Sequence, residues 1–160
     1  MADFRLRQDC REWFRRFEAD LSWKVFDTYY LCFLVGIAAN RRSKPTVGRV
    51  EAPGFVTDFP RPYDQQAYLL FGLILAAELK RDAIDVSDRS SVNDVVNDLA
   101  GPAGLTSRGV AVMNEYASGG FDVLQQRYPG DEPWGLDEFL PRYAVLLDEL
   151  MEEQGLDMTW

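Results

Sequence analysis

Hydrophobic residues recur along this chain at the three-and-four spacing of helix faces, in six segments separated by clusters of Gly, Pro and Ser. Cys10, Trp13, Phe14 and Phe17 share one face of a first helix expected over residues 3–20, with Arg7, Arg11, Arg15 and Arg16 largely elsewhere. The second helix, FDTYYLCFLVGIAA from Phe26 to Ala39, is apolar nearly all round and must be buried for most of its circumference. Asp27 is placed to cap its start, and Asn40 suits the left-handed turn that commonly follows a helix end.

Between Arg41 and Pro62 the periodicity disappears, and Pro45, Gly48, Pro53, Gly54, Pro60 and Pro62 predict a long ordered crossover. Phe55, Val56 and Phe59 are its expected anchors on the core. A third helix follows over 64–81, with Leu69, Leu70, Leu73, Ile74 and Ala77 as its apolar stripe. A short fourth, capped by Ser90 or Ser91, runs to about Leu99. The fifth begins at Thr106 or Ser107, and Gly119-Gly120 is expected to break or bend it before Phe121–Tyr128. After a second loop over 129–135, the sixth helix spans about 136–153, with Phe139, Tyr143, Leu146, Leu147 and Leu150 inward. Glu149, Glu152 and Glu153 sit where the helix dipole disfavours them, so fraying is expected there. No segment reads as a strand. The expected fold is all-α: one domain over residues 1–160, with about six helices and a Pro/Gly-rich crossover between the second and third.

Length changes this picture little, since 160 residues suit one core. The longest apolar runs are about half of a membrane span, and the first residues lack a signal-peptide pattern. Cys10 and Cys32 are distant in sequence, lie on faces that read as buried, and form no C-x-x-C pair. The expectation is a soluble, reduced, cytoplasmic protein.

Histidine is absent, which removes Ser-His-Asp and Cys-His nucleophiles, imidazole acid-base chemistry and histidine metal ligands. Carboxylate, lysine or tyrosine chemistry remains. Asp82, Asp85 and Asp88, and Asp94 with Asp98, lack the glycine-centred loop of an EF-hand and the spacing of a di-iron bundle. Glu78 and Lys80 suggest a nuclease-like cluster only weakly in a chain with 26 acidic residues. Gly101–Gly104 and Gly119-Gly120 lack P-loop or dinucleotide spacing. Trp13, Trp23, Trp134 and Trp160 read as core or rim packing before they read as base-stacking platforms. Neither a catalytic set nor a cofactor or metal site is expected, and an enzyme is the least favoured class.

Charge supplies the one candidate site. Residues 1–62 carry a net +3 and residues 63–160 a net −12, within a total of −9. Such a molecule repels nucleic acid overall, so any DNA contact must be local. Arg41, Arg42, Lys44 and Arg49 form the basic turn after the apolar helix, and three uses stay open: neutralising the helix end, meeting an acidic partner, or clamping phosphates. Arg5, Arg7, Arg11, Arg15 and Arg16 extend the patch if the first helix packs beside the second.

The order of features also carries a resemblance. The apolar helix Val25–Ala39 ending in Arg41-Arg42, the Pro-rich crossover, the hydrophobic stretch Ala67–Leu79 and the segment Met113-Asn114-Glu115-Tyr116-Ala117-Ser118-Gly119-Gly120-Phe121-Asp122-Val123-Leu124 resemble small helical proteins of DNA phosphorothioation loci, the Dnd-type sulfur-modification and defence systems. Glu115–Gly120 is the most specific part, and the similarity spans about residues 20–128. It implies an accessory role in antiphage DNA modification or restriction, beside DNA or on it, and brings no catalytic residues. The implied partners are protein components of such a complex and DNA; self-association stays open, and no membrane contact is expected. A general helical adaptor without a DNA role is the alternative, followed by a carboxylate/lysine DNA nickase.

Overall fold

The helix α3 (Val25–Ala38) is the axis of the molecule in the computed structural model, and none of its residues is exposed. The structure describes residues 2–20, 22–128 and 135–155. Its principal partner is the 21-residue helix α6 (Ser107–Arg127), and the two are packed unusually closely. A Cβ on Gly36 would lie 1.9 Å from the Tyr116 carbonyl oxygen, and one on Gly120 would lie 1.8 Å from that of Cys32. Only glycine permits such an approach, so Gly120 serves the crossing, Gly119 faces the turn after α3, and the pair does not interrupt the helix. The expected break there is corrected: α6 is continuous, because packing against α3 offsets the conformational cost of two interior glycines.

The N-terminus also departs from expectation. Residues 3–7 are not helical, and β1 (Phe4–Arg5) pairs antiparallel with β4 (Gly54–Val56) in the crossover. Asn114 on α6 replaces a further strand: its Oδ1 accepts from the Arg5 N–H, and its amide donates to the Asp3 carbonyl. With those backbone groups satisfied, helix begins only at α1 (Gln8–Trp13) and resumes, after Phe14, as α2 (Arg15–Asp20). Cys10, Phe14 and Phe17 are buried as their spacing predicts.

The crossover contains the hairpin β2 (Thr46–Val47) and β3 (Val50–Glu51), so the expectation of no strands gives way to three two-stranded ribbons. Gly48 takes φ +61° at the first of the two loop positions, where type II′ hairpins place glycine. Phe55, Val56 and Phe59 pack on the core as anchors. A 3₁₀ turn over Tyr63–Gln66 leads into α4 (Ala67–Arg81), whose Leu70 and Ile74 are buried while Leu69 faces outward. Helix α5 (Arg89–Leu99) is capped by Asp88, which accepts from Ser91, and not by Ser90 or Ser91. The ribbon of β5 (Ala100–Gly101) and β6 (Gly104–Leu105) joins it to α6, capped by Thr106.

Helix α7 (Leu136–Glu153) buries Phe139, Tyr143, Leu146 and Leu150. Arg127 at the end of α6 pairs with Glu149 and Glu153, supplying the cation that the acidic C-terminus of α7 lacks. Among the described residues the structure is thus mainly helical, with seven α-helices. No described helix is long and apolar enough to cross a membrane. Trp13 packs edge-on against Phe14, Phe121 and Phe139, and Trp23 donates to Thr28. Of the expected loop over 129–135 only Gly135 is among the described residues, and Trp134 and Trp160 lie outside them.

Candidate functional site

The basic turn begins where α3 ends in a Schellman motif. Asn40 is left-handed at φ +49°, its N–H donates to the Ile37 carbonyl, and the Arg41 N–H donates to the Gly36 carbonyl. Asp27, expected to cap the start of this helix, instead lies one turn inside it and accepts from the Lys24 N–H, because Lys24 occupies the capping position. Its other oxygen takes the Tyr63 hydroxyl.

From Arg41 onward the main chain lies on α6. The Arg41 carbonyl lies so near Gly119 that a Cβ there would come within 2.3 Å of it. Beyond it the Ser43 N–H donates to the Glu115 carbonyl at 3.0 Å, and the Ser118 hydroxyl donates to the Lys44 carbonyl at 3.0 Å. Ser43 also donates to Asp122 at 2.8 Å. Glu115, Ser118, Gly119 and Asp122 fall one turn apart on one face of α6, so this helix both packs the core and holds the turn. The base of the hairpin is closed by the Ala52 N–H, which donates to the Pro45 carbonyl at 2.8 Å.

The four predicted cations do not share one environment. Arg42 turns inward: its guanidinium binds Glu115 through Nε at 2.7 Å and Glu78 through Nη1 at 2.9 Å, with its side chain only 15% exposed. Burial pushes the Arg42 pKa down, but the hydrogen bond to Glu115 and the charges of Glu78 and Glu115 outweigh it and raise it. The Tyr116 hydroxyl completes this cluster by donating to Glu78 at 2.7 Å. Arg41 donates to Gln126 at 2.9 Å near the surface. Lys44 and Arg49 are exposed, and their side chains make no ion pair or hydrogen bond with the described residues.

The arginines expected to extend the patch are likewise divided. Arg7 is drawn into Asp9 and Asp122 and lies over the Phe121 ring, 5.2 Å from its centroid. Arg5 donates to the Ala52 carbonyl and lies 3.8 Å from Glu51. Arg15 and Arg16 are exposed, whereas Arg11 is half-buried. An open cleft of about 480 Å³ runs between the N-terminal strand and the turn. Arg5 and Lys44 line it opposite Asp3, Glu51 and Glu115. With three carboxylates against two cations, it is no cradle for phosphates.

Glu78 is the residue whose importance sequence reasoning missed. Its signal was present: it continues the Leu70, Ile74 stripe by one turn, so it places an acid on a buried face, where an unpaired charge is untenable. Its carboxylate is engaged by Arg42 and Tyr116, with Arg81 4.0 Å away. Among the described residues no three carboxylates or thiols come together as a metal-ligand set. Comparison with protein-family models, curated proteins and solved structures gives no match for this chain.

Proposed function

We propose that this protein is a binding module that engages a partner protein through the tip of the β2–β3 hairpin. The observation that carries this reading is the composition of that tip. Val50 is 72% exposed and Val47 44%, and Arg49 stands beside them with Lys44 at the approach. An apolar pair flanked by cations suits a protein surface that is hydrophobic at its centre and acidic at its rim. The rigid base supports the same use, since a hairpin held on α6 loses little freedom on docking.

The resemblance to phosphorothioation-associated proteins supports a partner among the components of a DNA-modification or antiphage defence complex, with an accessory role for the present chain. Direct DNA binding through the turn is the weaker form of the proposal, because Arg42 is committed to Glu78 and Glu115. The test is co-purification with the products of neighbouring genes, using Val50→Asp and the double variant Lys44→Glu/Arg49→Glu. Loss of a specific co-purifying protein in both variants, with the fold intact, supports the proposal; an unchanged set of proteins overturns it. If DNA is the ligand, only the charge variant loses retention on DNA, and its salt slope falls by about 0.9 for each phosphate no longer neutralised.

A further inference from the structure

The first turn of α3 carries an acid that the fold holds in place without neutralising it. Asp27 is half-buried, and its two carboxylate oxygens accept from the Lys24 N–H at 2.7 Å and from the Tyr63 hydroxyl at 2.5 Å. Both donors are uncharged. Among the described residues no lysine or arginine side chain pairs with this carboxylate. The dipole of α3 supplies only about half a positive charge at this end, so the negative charge is offset in part.

The same carboxylate lines an open cleft of about 380 Å³, together with Ser22, Trp23, Tyr30, Leu31 and Tyr63. Its three aromatic residues come from separate places in the fold: Trp23 from the segment ahead of α3, Tyr30 from the helix itself, and Tyr63 from the 3₁₀ turn before α4. Contacts inside the fold fix them. The Trp23 indole donates to Thr28 at 2.8 Å and its ring packs edge-on against Phe17, while the Tyr63 ring lies 4.7 Å from that of Phe26. Tyr30 packs against Tyr63 with 5.0 Å between ring centroids. Trp23 makes no ring contact with either tyrosine, so the three rings line the cleft without closing it.

Rings and charge together select a class of ligand. Aromatic faces attract cations, and more strongly where water is displaced. A lysine-like ammonium or a guanidinium needs acceptors for all of its N–H groups, whereas each Asp27 oxygen already accepts a hydrogen bond. A quaternary ammonium has no N–H to satisfy and presents methyl groups to the rings. We infer that this cleft binds a quaternary ammonium group, with its methyls against Trp23, Tyr30 and Tyr63 and its charge opposite Asp27. The site shares no residue with the hairpin, so the two proposals stand or fall independently.

Calorimetric titration of the full chain with choline chloride, against matched sodium chloride, tests this; N-acetyl-trimethyllysine is the second probe. Saturable binding is expected, with a dissociation constant of about 1 mM or below. The neutral carbon isostere of choline, dimethylbutanol, should bind at least about tenfold more weakly, and so should ethanolamine, whose ammonium keeps its N–H groups. Tyr30→Leu keeps the apolar bulk and removes a ring, and Asp27→Asn removes the charge; each should weaken choline binding about tenfold. Circular dichroism and thermal melting report whether each variant is folded. Because Asp27 also holds the start of α3, Tyr30→Leu and the isostere decide the question if Asp27→Asn does not fold. Saturable binding of either cation with these losses supports the inference, and the tighter cation names the carrier as a free metabolite or a methylated lysine. No saturation by either cation at about 10 mM, an isostere as tight as choline, or unchanged affinity in a folded Tyr30→Leu variant would overturn it.

Discussion

Gly120 meets the carbonyl of Cys32 at a distance no side chain tolerates, since a Cβ would stand 1.8 Å from that oxygen and 2.6 Å from the Gly36 nitrogen. The obstacle is backbone on both counts, and it cannot rotate away as a side chain would. Helix α6 must therefore retreat from α3 if the glycine is replaced, and the turn held on the neighbouring Gly119 retreats with it.

Gly120→Ala is accordingly expected to destabilise the protein by about 3 kcal/mol or more, at the upper end of overpacking effects. Gly72→Ala, made inside α4 where an added Cβ would meet nothing within 4 Å, should stabilise by about 1 kcal/mol. Urea unfolding of the two variants gives opposite signs if the close crossing is real. Equal and small effects would remove it.

Arg42→Ala should destabilise by about 3 kcal/mol, because it leaves the buried Glu78 carboxylate only the more distant Arg81, 4.0 Å away, as a cation. Adding Glu78→Gln to that variant should recover part of the loss, since the poorly compensated charge is then gone. Chemical denaturation of the four members of this cycle measures the coupling. By contrast, Lys44→Ala and Arg49→Ala should stay within about 0.5 kcal/mol of wild type, as exposed and unpaired side chains do. A loss of partner binding on substituting Arg42 therefore has to be read beside its loss of stability.

Four tyrosines set the alkaline limit. Burial raises the pKa of Tyr29, Tyr63, Tyr116 and Tyr143, with a hydrogen bond to Asp27 adding to it at Tyr63 and one to Glu78 at Tyr116. Each hydroxyl donates to an acceptor, respectively Asn114, Asp27, Glu78 and the Leu31 carbonyl, and a phenolate has no proton to give. Because the folded pKa values lie above the unfolded value of about 10, this stability is complete below pH 10 and is lost as pH rises toward the folded values. Tyrosinate absorbance followed together with circular dichroism should show these four groups ionising only as the fold is lost. Ionisation near pH 10 with the fold intact would contradict their burial. No imidazole contributes a step near neutrality, since the chain has no histidine.

Helix placement was legible because periodicity reports burial: α3, α6 and α7 bury the faces their sequences mark, and α4 does so except at Leu69, which is exposed. What escaped were features decided by partners far along the chain. Phe4 and Arg5 carry no strand signal of their own; they are extended because Asn114, more than a hundred residues away, satisfies their backbone. Gly119-Gly120 looks the same in sequence whether it breaks a helix or receives another one. The basic turn is visible in sequence as a cluster, yet a count of cations cannot separate Arg42, which faces Glu78 and Glu115, from Lys44 and Arg49, which face solvent. That division depends on where α4 and α6 bring their acids.

Asn114 offers the sharpest test of how the N-terminal segment is held. Its Oδ1 accepts from the Arg5 N–H at 3.0 Å and the Tyr29 hydroxyl at 2.9 Å, while its amide donates to the Asp3 carbonyl at 3.0 Å. Asn114→Ala removes all three bonds and leaves the wholly buried Tyr29 hydroxyl without an acceptor, at an expected cost of about 3 kcal/mol. Tyr29→Phe removes only one of these bonds and should cost about 1 kcal/mol. The combined variant should be less destabilised than the sum of the two, since the unsatisfied hydroxyl that Asn114→Ala creates is then absent. Hydrogen exchange adds the structural readout: protection of the Arg5 amide should fall in Asn114→Ala and persist in Tyr29→Phe, because only the first substitution takes away its acceptor. Protection retained equally in both variants would mean that the strand is held by its pairing with Val56 and Gly54 and not by the asparagine.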